Sequence, residues 1–378
     1  MRPADPGGAL EAALRKRRVL VVCGSGGVGK TTISAALALR AARDGRRALV
    51  CTIDPARRLA TRLGLGRLSG TPQRVELDAP GGAGELWAMT LDVKRTFDEL
   101  VIRHAGSPEA ARRILDNALY REVSAALAGS HEYMAMEKLL ELHGDERFDL
   151  VVLDTPPTRH ALDFLEAPDR MLSFLDTSVL RFFLKPYLAA GRLTLRAASR
   201  TGAALLRLAD RVLGLELLRD LSEFFLAFDG MYEGFKDRAG RVFELLRSGR
   251  SGFVVVTSPT RQALQEATFL RRQLAERDMP CVAVVVNRVL GRLPAARGGS
   301  GRVEVPPALR SRLVAIFRDH NALAAVEERG IRGLEVDCDC TALRVPELDD
   351  DASDLPELVA VAGALLSGRD ATSRRRLP

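Results

Sequence analysis

The residues with the clearest chemistry lie near the start of the chain, where an apolar run leads into Gly24-Ser-Gly-Gly-Val-Gly-Lys30-Thr31-Thr32. The spacing is G-x-x-x-x-G-K-T, placed between a predicted strand and a predicted helix that runs to Arg43. Glycines let the backbone approach an anion closely, so that amide N–H groups and a helix N-terminus can surround a polyphosphate. A glycine turn that only joins strand to helix is the alternative, and the order of strand, loop, Lys-Thr-Thr and helix disfavours it. We therefore predict a phosphate-binding loop.

The side chains of this loop have predicted roles in binding a nucleotide and its metal ion. Lys30 is predicted to reach the β- and γ-phosphates and to be catalytic, and Thr31 is predicted to offer its hydroxyl to Mg²⁺. The predicted cofactors are accordingly ATP and Mg²⁺. The predicted nucleotide-binding residues of the loop are Gly26, Gly27, Val28, Gly29, Lys30, Thr31 and Thr32.

Two carboxylates follow other apolar runs. Asp54 comes after the run Ala48–Ile53, and a carboxylate near the γ-phosphate can accept a proton from attacking water, so we predict that Asp54 is catalytic. The alternative for Asp54 is a helix N-cap, because it precedes Pro-Ala. Asp154 ends the run that starts at Leu150, and it is predicted to lie beside Mg²⁺, so that Thr31 and Asp154 form the predicted metal site.

Six short apolar runs alternate with helical patterns along the chain. Their continuous Val/Leu/Ile character predicts strands that are buried on both faces, in an α/β fold with a doubly wound, mostly parallel sheet. Ligands of such sheets bind beyond the carboxyl ends of the strands, where all of the motifs fall. The predicted strands are Arg18–Cys23, Ala48–Ile53, Leu86–Leu91, Leu150–Leu153, Phe253–Thr257 and Cys281–Val286.

The strand pattern gives way to helical spacing in two long segments, residues 107–142 and 170–246. We interpret the chain, residues 1–378, as a single P-loop ATPase domain with a helical subdomain formed by these two insertions. The second insertion is rich in Leu and Phe, which fits core packing or a groove for a protein client or partner. A loop is predicted over Leu293–Ser300, and a core-facing helix is predicted to end near Leu366.

The motifs together resemble a known family. The G-x-G-G-V-G-K-T-T loop resembles the deviant Walker A loop of a class of dimeric P-loop ATPases, and the segments T-I-D-P-A (52–56) and D-T-P-P-T (154–158) are similar to those of its ArsA-like branch, closest to the bacterial members. The resemblance implies a homodimer or a hetero-dimer with a related ATPase. The family's early signature lysine, which crosses the dimer interface, is replaced here by Ser25. We expect Arg57 or Arg58 to offset that missing charge, in cis or across the dimer.

The same resemblance assigns roles farther along the chain. Asn287 ends a V-V-V-N run that is similar to the family segment whose asparagine binds the adenine edge, although an Asn in a turn is the alternative. Leu343–Pro346 resembles a later loop that covers the base, so Pro346 is a predicted binding residue. His160 matches a motif histidine in position, and a surface helix histidine is the alternative.

The composition of the chain indicates where the protein is expected to work and which partners it is not expected to bind. The chain carries a net charge of +7, but its arginine runs lack interleaved aromatic residues, so no sequence-specific nucleic-acid binding is predicted. The five cysteines do not suggest a disulfide framework, and the Cys338-Asp-Cys340 pair alone is a weak metal motif. With no recognisable signal peptide and no transmembrane segment, a cytoplasmic protein is expected.

The leading functional hypothesis is an ATP-hydrolysing dimer whose nucleotide state is coupled to a helical client or partner surface. One alternative is a nucleotide-dependent scaffold, or a regulatory protomer of a hetero-dimer, with little hydrolysis of its own; another is a positioning ATPase on membrane or nucleoid. The retained Asp54 and Asp154 disfavour the scaffold. The positioning hypothesis lacks a terminal amphipathic membrane helix. Metalloid efflux is not expected, because residues 105–250 contain no cysteine.

Overall fold

The computed structural model describes residues 6–53, 58–77, 84–117, 120, 130–156, 232–294, 305–348 and 355–367. The chain divides into two compact units. The first, which we call the sheet unit, comprises Met1–Leu91, Glu141–Leu162 and Glu244–Pro378. The second, the helical unit, comprises Asp92–Leu140 and Asp163–Phe243.

The sheet unit is built on eight strands. Their order across the sheet is β3-β4-β2-β5-β1-β6-β7-β8, and every neighbouring pair is parallel except β3 and β4. The strands are β1 (Val19–Cys23), β2 (Arg47–Thr52), β3 (Gln73–Val75), β4 (Glu85–Thr90), β5 (Leu150–Asp154), β6 (Ser251–Thr257), β7 (Cys281–Val289) and β8 (Leu343–Pro346). The predicted doubly wound α/β fold is confirmed, and the six predicted strands are β1, β2, β4, β5, β6 and β7.

Ten helices are described between and beyond the strands. They are α1 (Pro6–Lys16), α2 (Lys30–Arg43), α3 (Arg58–Arg62), α4 (Val93–His104), α5 (Pro108–Asp116), α6 (Ser130–Gly144), α7 (Tyr232–Arg247), α8 (Arg261–Glu276), α9 (Pro307–Cys338) and α10 (Leu355–Ser367). The core-facing helix predicted to end near Leu366 is α10, which packs against α2. The alanines of α2 allow this close packing, because a small side chain lets a helix approach both the sheet and a second helix.

The helical unit is described only in part. Within it, α4, α5, the first part of α6 and the first part of α7 are described, and Tyr120 lies between α5 and α6. Helices α4 and α5 begin with side-chain caps: Asp92 accepts the N–H of Arg95, and Ser107 accepts the N–H of Ala110. Most of the predicted insertion at 170–246 lies outside the described residues, so the helical subdomain with its predicted bounds stays a prediction.

Four elements were missed or misassigned from the sequence, among them helix α1 before the first strand. Strand β3 has three residues and β8 has four, which is too short for a periodic pattern to be recognised. The segment Leu343–Pro346, expected to be a loop, is the edge strand β8, because it continues the parallel pairing beyond β7. Helix α9 spans 32 residues and was not predicted. The predicted loop after Leu293 is described only to residue 294, where no regular structure is present.

The topology brings three strand ends together at one edge of the sheet. Strand β5 lies between β1 and β2, with Asp154 in register with Val22 of β1 and with Thr52 of β2. The loop that follows β1 therefore begins beside the carboxylate that ends β5. This is the edge at which parallel sheets bind their ligands.

Candidate functional site

The loop between β1 and α2 adopts a conformation that only glycines allow. Gly27 and Gly29 have φ values of 77° and 95°, in the left-handed region. A Cβ atom on Gly24 would lie 2.0 Å from the carbonyl oxygen of Val256, and one on Gly29 would lie 2.1 Å from the Asn287 amide nitrogen. The glycines thus permit both the open backbone and the close approach of the loop to strands β6 and β7.

Lys30 is buried within this loop. Its ammonium group donates hydrogen bonds to the carbonyl oxygens of Gly24 (2.9 Å) and Ser25 (2.8 Å), and the residue is 6% exposed. Lys30 is also the first residue of α2. In the first turn of a helix the backbone N–H groups make no hydrogen bonds within the helix and can bind other groups. A positive side chain and a helix N-terminus therefore meet at one place, which favours an anion.

Asp154 is the buried carboxylate of the site. It is 1% exposed and accepts hydrogen bonds from Thr31 Oγ1 (2.8 Å), Thr52 Oγ1 (2.9 Å) and Ser34 Oγ (3.4 Å). Burial raises the pKa of Asp154 to about 6, against the opposing influence of the hydroxyl donors and of Lys30. The structure therefore brings together Thr31 and Asp154, the two residues predicted to hold the metal ion.

The donor set at this edge fits Mg²⁺ and nucleotide phosphates. Mg²⁺ prefers hard oxygen ligands, and it usually takes one or two protein ligands together with phosphate oxygens. A hydroxyl at Thr31 and a carboxylate at Asp154 supply such oxygens, and the glycine loop supplies amide N–H groups for phosphate. The hydroxyl and the amide of Thr155 both bond the carbonyl of Val22, which fixes the chain as it leaves β5.

The phosphate-binding loop, the first turn of α2 and Thr155 border a cleft of about 320 Å³. Three arginines line it: Arg58 and Arg62 from α3, and Arg288 from β7. Arg58 was expected near the phosphates, whereas Arg62 and Arg288 were missed. Arg62 lies in no recognised motif, and Arg288 follows the V-V-V-N run, in which only Asn287 was given a role. The remaining lining residues are Gly27, Gly29, Lys30, Thr31, Thr32 and Thr155. The cleft is therefore lined by the phosphate-binding loop and by positively charged side chains.

Asn287 lies directly against the loop. Its side-chain amide donates a 2.9 Å hydrogen bond to the carbonyl oxygen of Val28, and the residue is 7% exposed. Pro346 ends β8 and is in register with Val289. The adenine contacts assigned to Asn287 and Pro346 by resemblance stay predictions.

Several predicted residues lie outside the described part of the chain. They are Asp54, Arg57 and His160, so their positions in the site stay predictions from the sequence. Val28 and Thr32 are both buried, Val28 within the loop and Thr32 in the first turn of α2.

The cysteines do not add a metal centre to the described part of the chain, where no group of three or more His, Cys, Asp or Glu residues could hold a metal ion. Cys23 and Cys51 are buried in strands β1 and β2. Cys338 ends α9, and a hydrogen bond with Cys340 lowers the pKa of the Cys338 thiol to about 7. Among the described residues, no helix is long and apolar enough to cross a membrane.

The loop and the buried carboxylate together identify a known kind of nucleotide-binding protein. A phosphate-binding loop between β1 and α2, with a buried aspartate at the end of a neighbouring parallel strand, is the arrangement of a P-loop NTPase. The sequence matches the family model described as "Anion-transporting ATPase" over residues 17–297. The chain therefore belongs to the anion-transporting ATPase family. ATP and Mg²⁺ are the cofactors of this family.

Relatives in this family come from distant organisms. The chain is 27% identical to ATPase ARSA1 of Chlamydomonas reinhardtii, over 74% of this chain but 36% of the algal protein. It is 28% identical to ATPase GET3C of Arabidopsis thaliana, over 74% of this chain and 68% of the plant protein. It is 23% identical to ATPase ASNA1 homolog 1 of Paramecium tetraurelia, over 84% of this chain and 88% of the Paramecium protein. These relatives support the ArsA-like family but do not support the expected bacterial branch.

Proposed function

We propose that the chain hydrolyses ATP with Mg²⁺ at the cleft of the sheet unit, as a dimer that couples its nucleotide state to a helical client or partner surface. The observation that carries this proposal is the hydrogen bond of 2.8 Å between Thr31 and Asp154 beside the buried Lys30. That arrangement supports the proposal, because a hydroxyl and a carboxylate suited to Mg²⁺ lie together with a cation at one end of the loop.

The residues of the loop and of the neighbouring strands have separate roles in the proposed reaction. Lys30 exchanges its contacts with the loop carbonyls for phosphate oxygens, which are the stronger acceptors because they are charged. Thr31 and Asp154 would hold Mg²⁺, which supplies charge neutralisation for the phosphates when it is bound. The amide N–H groups of the glycine loop would bind the phosphates, and Asn287 and Pro346 would bind the base.

Asp54 is proposed to orient the attacking water and accept its proton. The support is its position in the sequence, two residues after the end of β2, whose last residue Thr52 contacts Asp154. Asp54→Asn keeps the size of the side chain but cannot accept the proton, so ATP binding persists while turnover falls. Turnover at the wild-type rate in this variant would show that Asp54 is only a helix cap.

Ser25 favours a second candidate function. The family's signature lysine is absent at this position, so the chain could depend on a lysine from a different protomer, as a regulatory member of a hetero-dimer with little hydrolysis of its own. Arg58 supports the homodimer instead, because it lines the cleft and can supply positive charge. Turnover by the purified chain alone separates the two functions.

The client is proposed by class only. The second predicted helical insertion, which is rich in Leu and Phe, suits an apolar protein segment. Metalloid cargo is not proposed, because thiolates are the expected ligands and residues 105–250 contain no cysteine.

The test is phosphate release by the purified full chain with ATP and Mg²⁺, together with its mass in solution. We expect steady turnover and a dimer mass, and we expect Lys30→Ala to lose ATP binding or turnover, because an alanine leaves the β/γ-phosphate charge unpaired. Lys16→Ala, at an exposed position of α1, is the matched control and should behave as wild type. Unchanged ATP affinity and turnover in Lys30→Ala would remove the proposed site.

A further inference from the structure

The end of β7 contains an unusual backbone feature beside the cleft. Arg288 has a φ of 59°, in the left-handed region that non-glycine residues rarely adopt. The other described non-glycine residues with positive φ are Asp278 and Asp339, which follow the last turns of α8 and α9. Arg288 differs because it lies within a strand, where a left-handed residue interrupts the pairing.

The left-handed residue coincides with a β-bulge. Val286 of β7 is in register with Arg344 of β8, and Val289 is in register with Pro346, so β7 holds one more residue than β8 between these pairs. A bulge of this kind changes the direction in which a side chain points, and bulges occur frequently next to active sites. Here the redirected side chain is that of Arg288, which lines the cleft.

Hydrogen bonds hold the bulge on both sides. Before it, the Asn287 amide donates to the carbonyl oxygen of Val28. After it, the N–H of Leu290 donates to Glu327 Oε2 at 2.8 Å, and the carbonyl of Val289 accepts the N–H of Glu347 at 3.1 Å. These hydrogen bonds hold Arg288 in a left-handed conformation that costs free energy for a residue other than glycine.

We propose that Arg288 binds the phosphate chain of the nucleotide and that the bulge at the end of β7 exists to direct its guanidinium to the loop. The inference rests on the proposed function, because it takes the cleft as the nucleotide site. Five of the residues that line the cleft with Arg288 come from the phosphate-binding loop or the first turn of α2: Gly27, Gly29, Lys30, Thr31 and Thr32. A guanidinium is suited to this task because it grips two phosphate oxygens at once.

The backbone conformation provides a sharp test. Glycine adopts a φ of 59° without strain, so Arg288→Gly removes the guanidinium while relieving the backbone. If Arg288 had only a structural role, this variant would bind ATP as wild type does. We expect instead that its Kd for ATP rises about tenfold or more, the effect of losing charge-assisted hydrogen bonds, while the midpoint of thermal unfolding is not lowered.

Two further variants separate charge from geometry. Arg288→Lys keeps the charge but loses the bidentate fork, so its Kd should lie between those of wild type and Arg288→Gly. Arg292→Gly is the matched control, because Arg292 is exposed, lies four residues farther along and is not among the cleft residues. Its Kd for ATP should stay within about twofold of wild type, which measures the effect of overall charge at this end of the sheet.

The experiment is calorimetric titration of the full chain with MgATP, and then with tripolyphosphate as the probe for the phosphate chain alone. A matching loss of affinity for both ligands in Arg288→Gly supports a phosphate contact. A loss for ATP but not for tripolyphosphate overturns it and indicates contact with the base or ribose, and a Kd for ATP within about twofold of wild type overturns any ligand role. Because binding is measured, a chain that binds ATP without hydrolysing it would contradict the proposed function and leave this inference standing.

Discussion

Two buried carboxylates, one in each unit, have opposite surroundings. Asp154 of the sheet unit and Glu137 of the helical unit are both 1% exposed. Glu137 pairs with Arg238 at 2.5 Å and accepts the hydroxyl hydrogen of Tyr133 at 2.7 Å. The hydrogen bonds to Asp154 come from the hydroxyls of Thr31, Thr52 and Ser34.

The difference follows from the cost of burying a charge. A carboxylate removed from water is stable only if a cation or several hydrogen bonds replace the lost solvation. Glu137 has its cation within the fold, so its network stabilises the helical unit. Asp154 accepts its hydrogen bonds from hydroxyls, and burial raises its pKa to about 6 although Lys30 acts to lower it, which fits a residue that gains a metal ion together with the ligand. The same chemical group is thus structural in one unit and suited to binding a metal ion in the other.

The largest expected effect comes from neutralising Asp154. Asp154→Asn should lower ATP turnover by about 100-fold or more, because the amide is a poor ligand for Mg²⁺. Its free energy of unfolding without ligands should not decrease, because burial already disfavours the charged carboxylate. Phosphate release and urea denaturation measure the two quantities.

Asp149→Asn is the control at the opposite end of β5, where Asp149 pairs with Arg47 on the surface. Its turnover should stay within about twofold of wild type, since a surface ion pair contributes little. Equal losses of turnover in the two variants would show that Asp154 is no more important for catalysis than Asp149.

Breaking the buried ion pair between Glu137 and Arg238 should lower the stability of the helical unit. Glu137→Gln leaves the largely buried Arg238 without its counter-charge, so the helical unit should lose about 3 kcal/mol of unfolding free energy. The double variant Glu137→Met, Arg238→Met should regain most of that loss. If denaturation shows that Glu137→Gln loses less than about 1 kcal/mol of unfolding free energy, the pair with Arg238 does not stabilise the helical unit.

A smaller effect is expected from the cleft arginines. Arg58→Ala should lower turnover by about tenfold while leaving ATP binding nearly intact, because a guanidinium acts most on the charge that develops in the transition state. Ser25→Lys should restore part of the loss. Arg67→Ala, exposed beyond α3 and not among the cleft residues, is the control. A steep rise in turnover for Ser25→Lys alone, with no effect of Arg58→Ala, would favour the hetero-dimer.

The smallest effects should rank the hydroxyls around Asp154. Thr52→Val removes a donor at 2.9 Å and Ser34→Ala removes one at 3.4 Å, so turnover should fall by about threefold in the first and by less than twofold in the second. The reverse order would show that the distances do not report the strength of these contacts.

The sequence predicted the sheet and the loop because both leave local patterns. Continuous apolar runs identify buried parallel strands, and Gly24 to Thr32 follow a fixed spacing. Arg288 was not predicted, because its position depends on a bulge that arises only when β8 pairs with β7, far away in sequence. The pairing of Glu137 with Arg238 was missed for the same reason, since the two residues are 101 positions apart.

The most direct test of Asp154 as a carboxylate that receives its cation with the nucleotide is the affinity for ATP measured with and without Mg²⁺, in wild type and in Asp154→Asn. We predict that Mg²⁺ strengthens ATP binding by about tenfold or more in wild type and by less than about twofold in the variant. An equal strengthening by Mg²⁺ in both proteins would contradict the assignment of Asp154 to the metal ion.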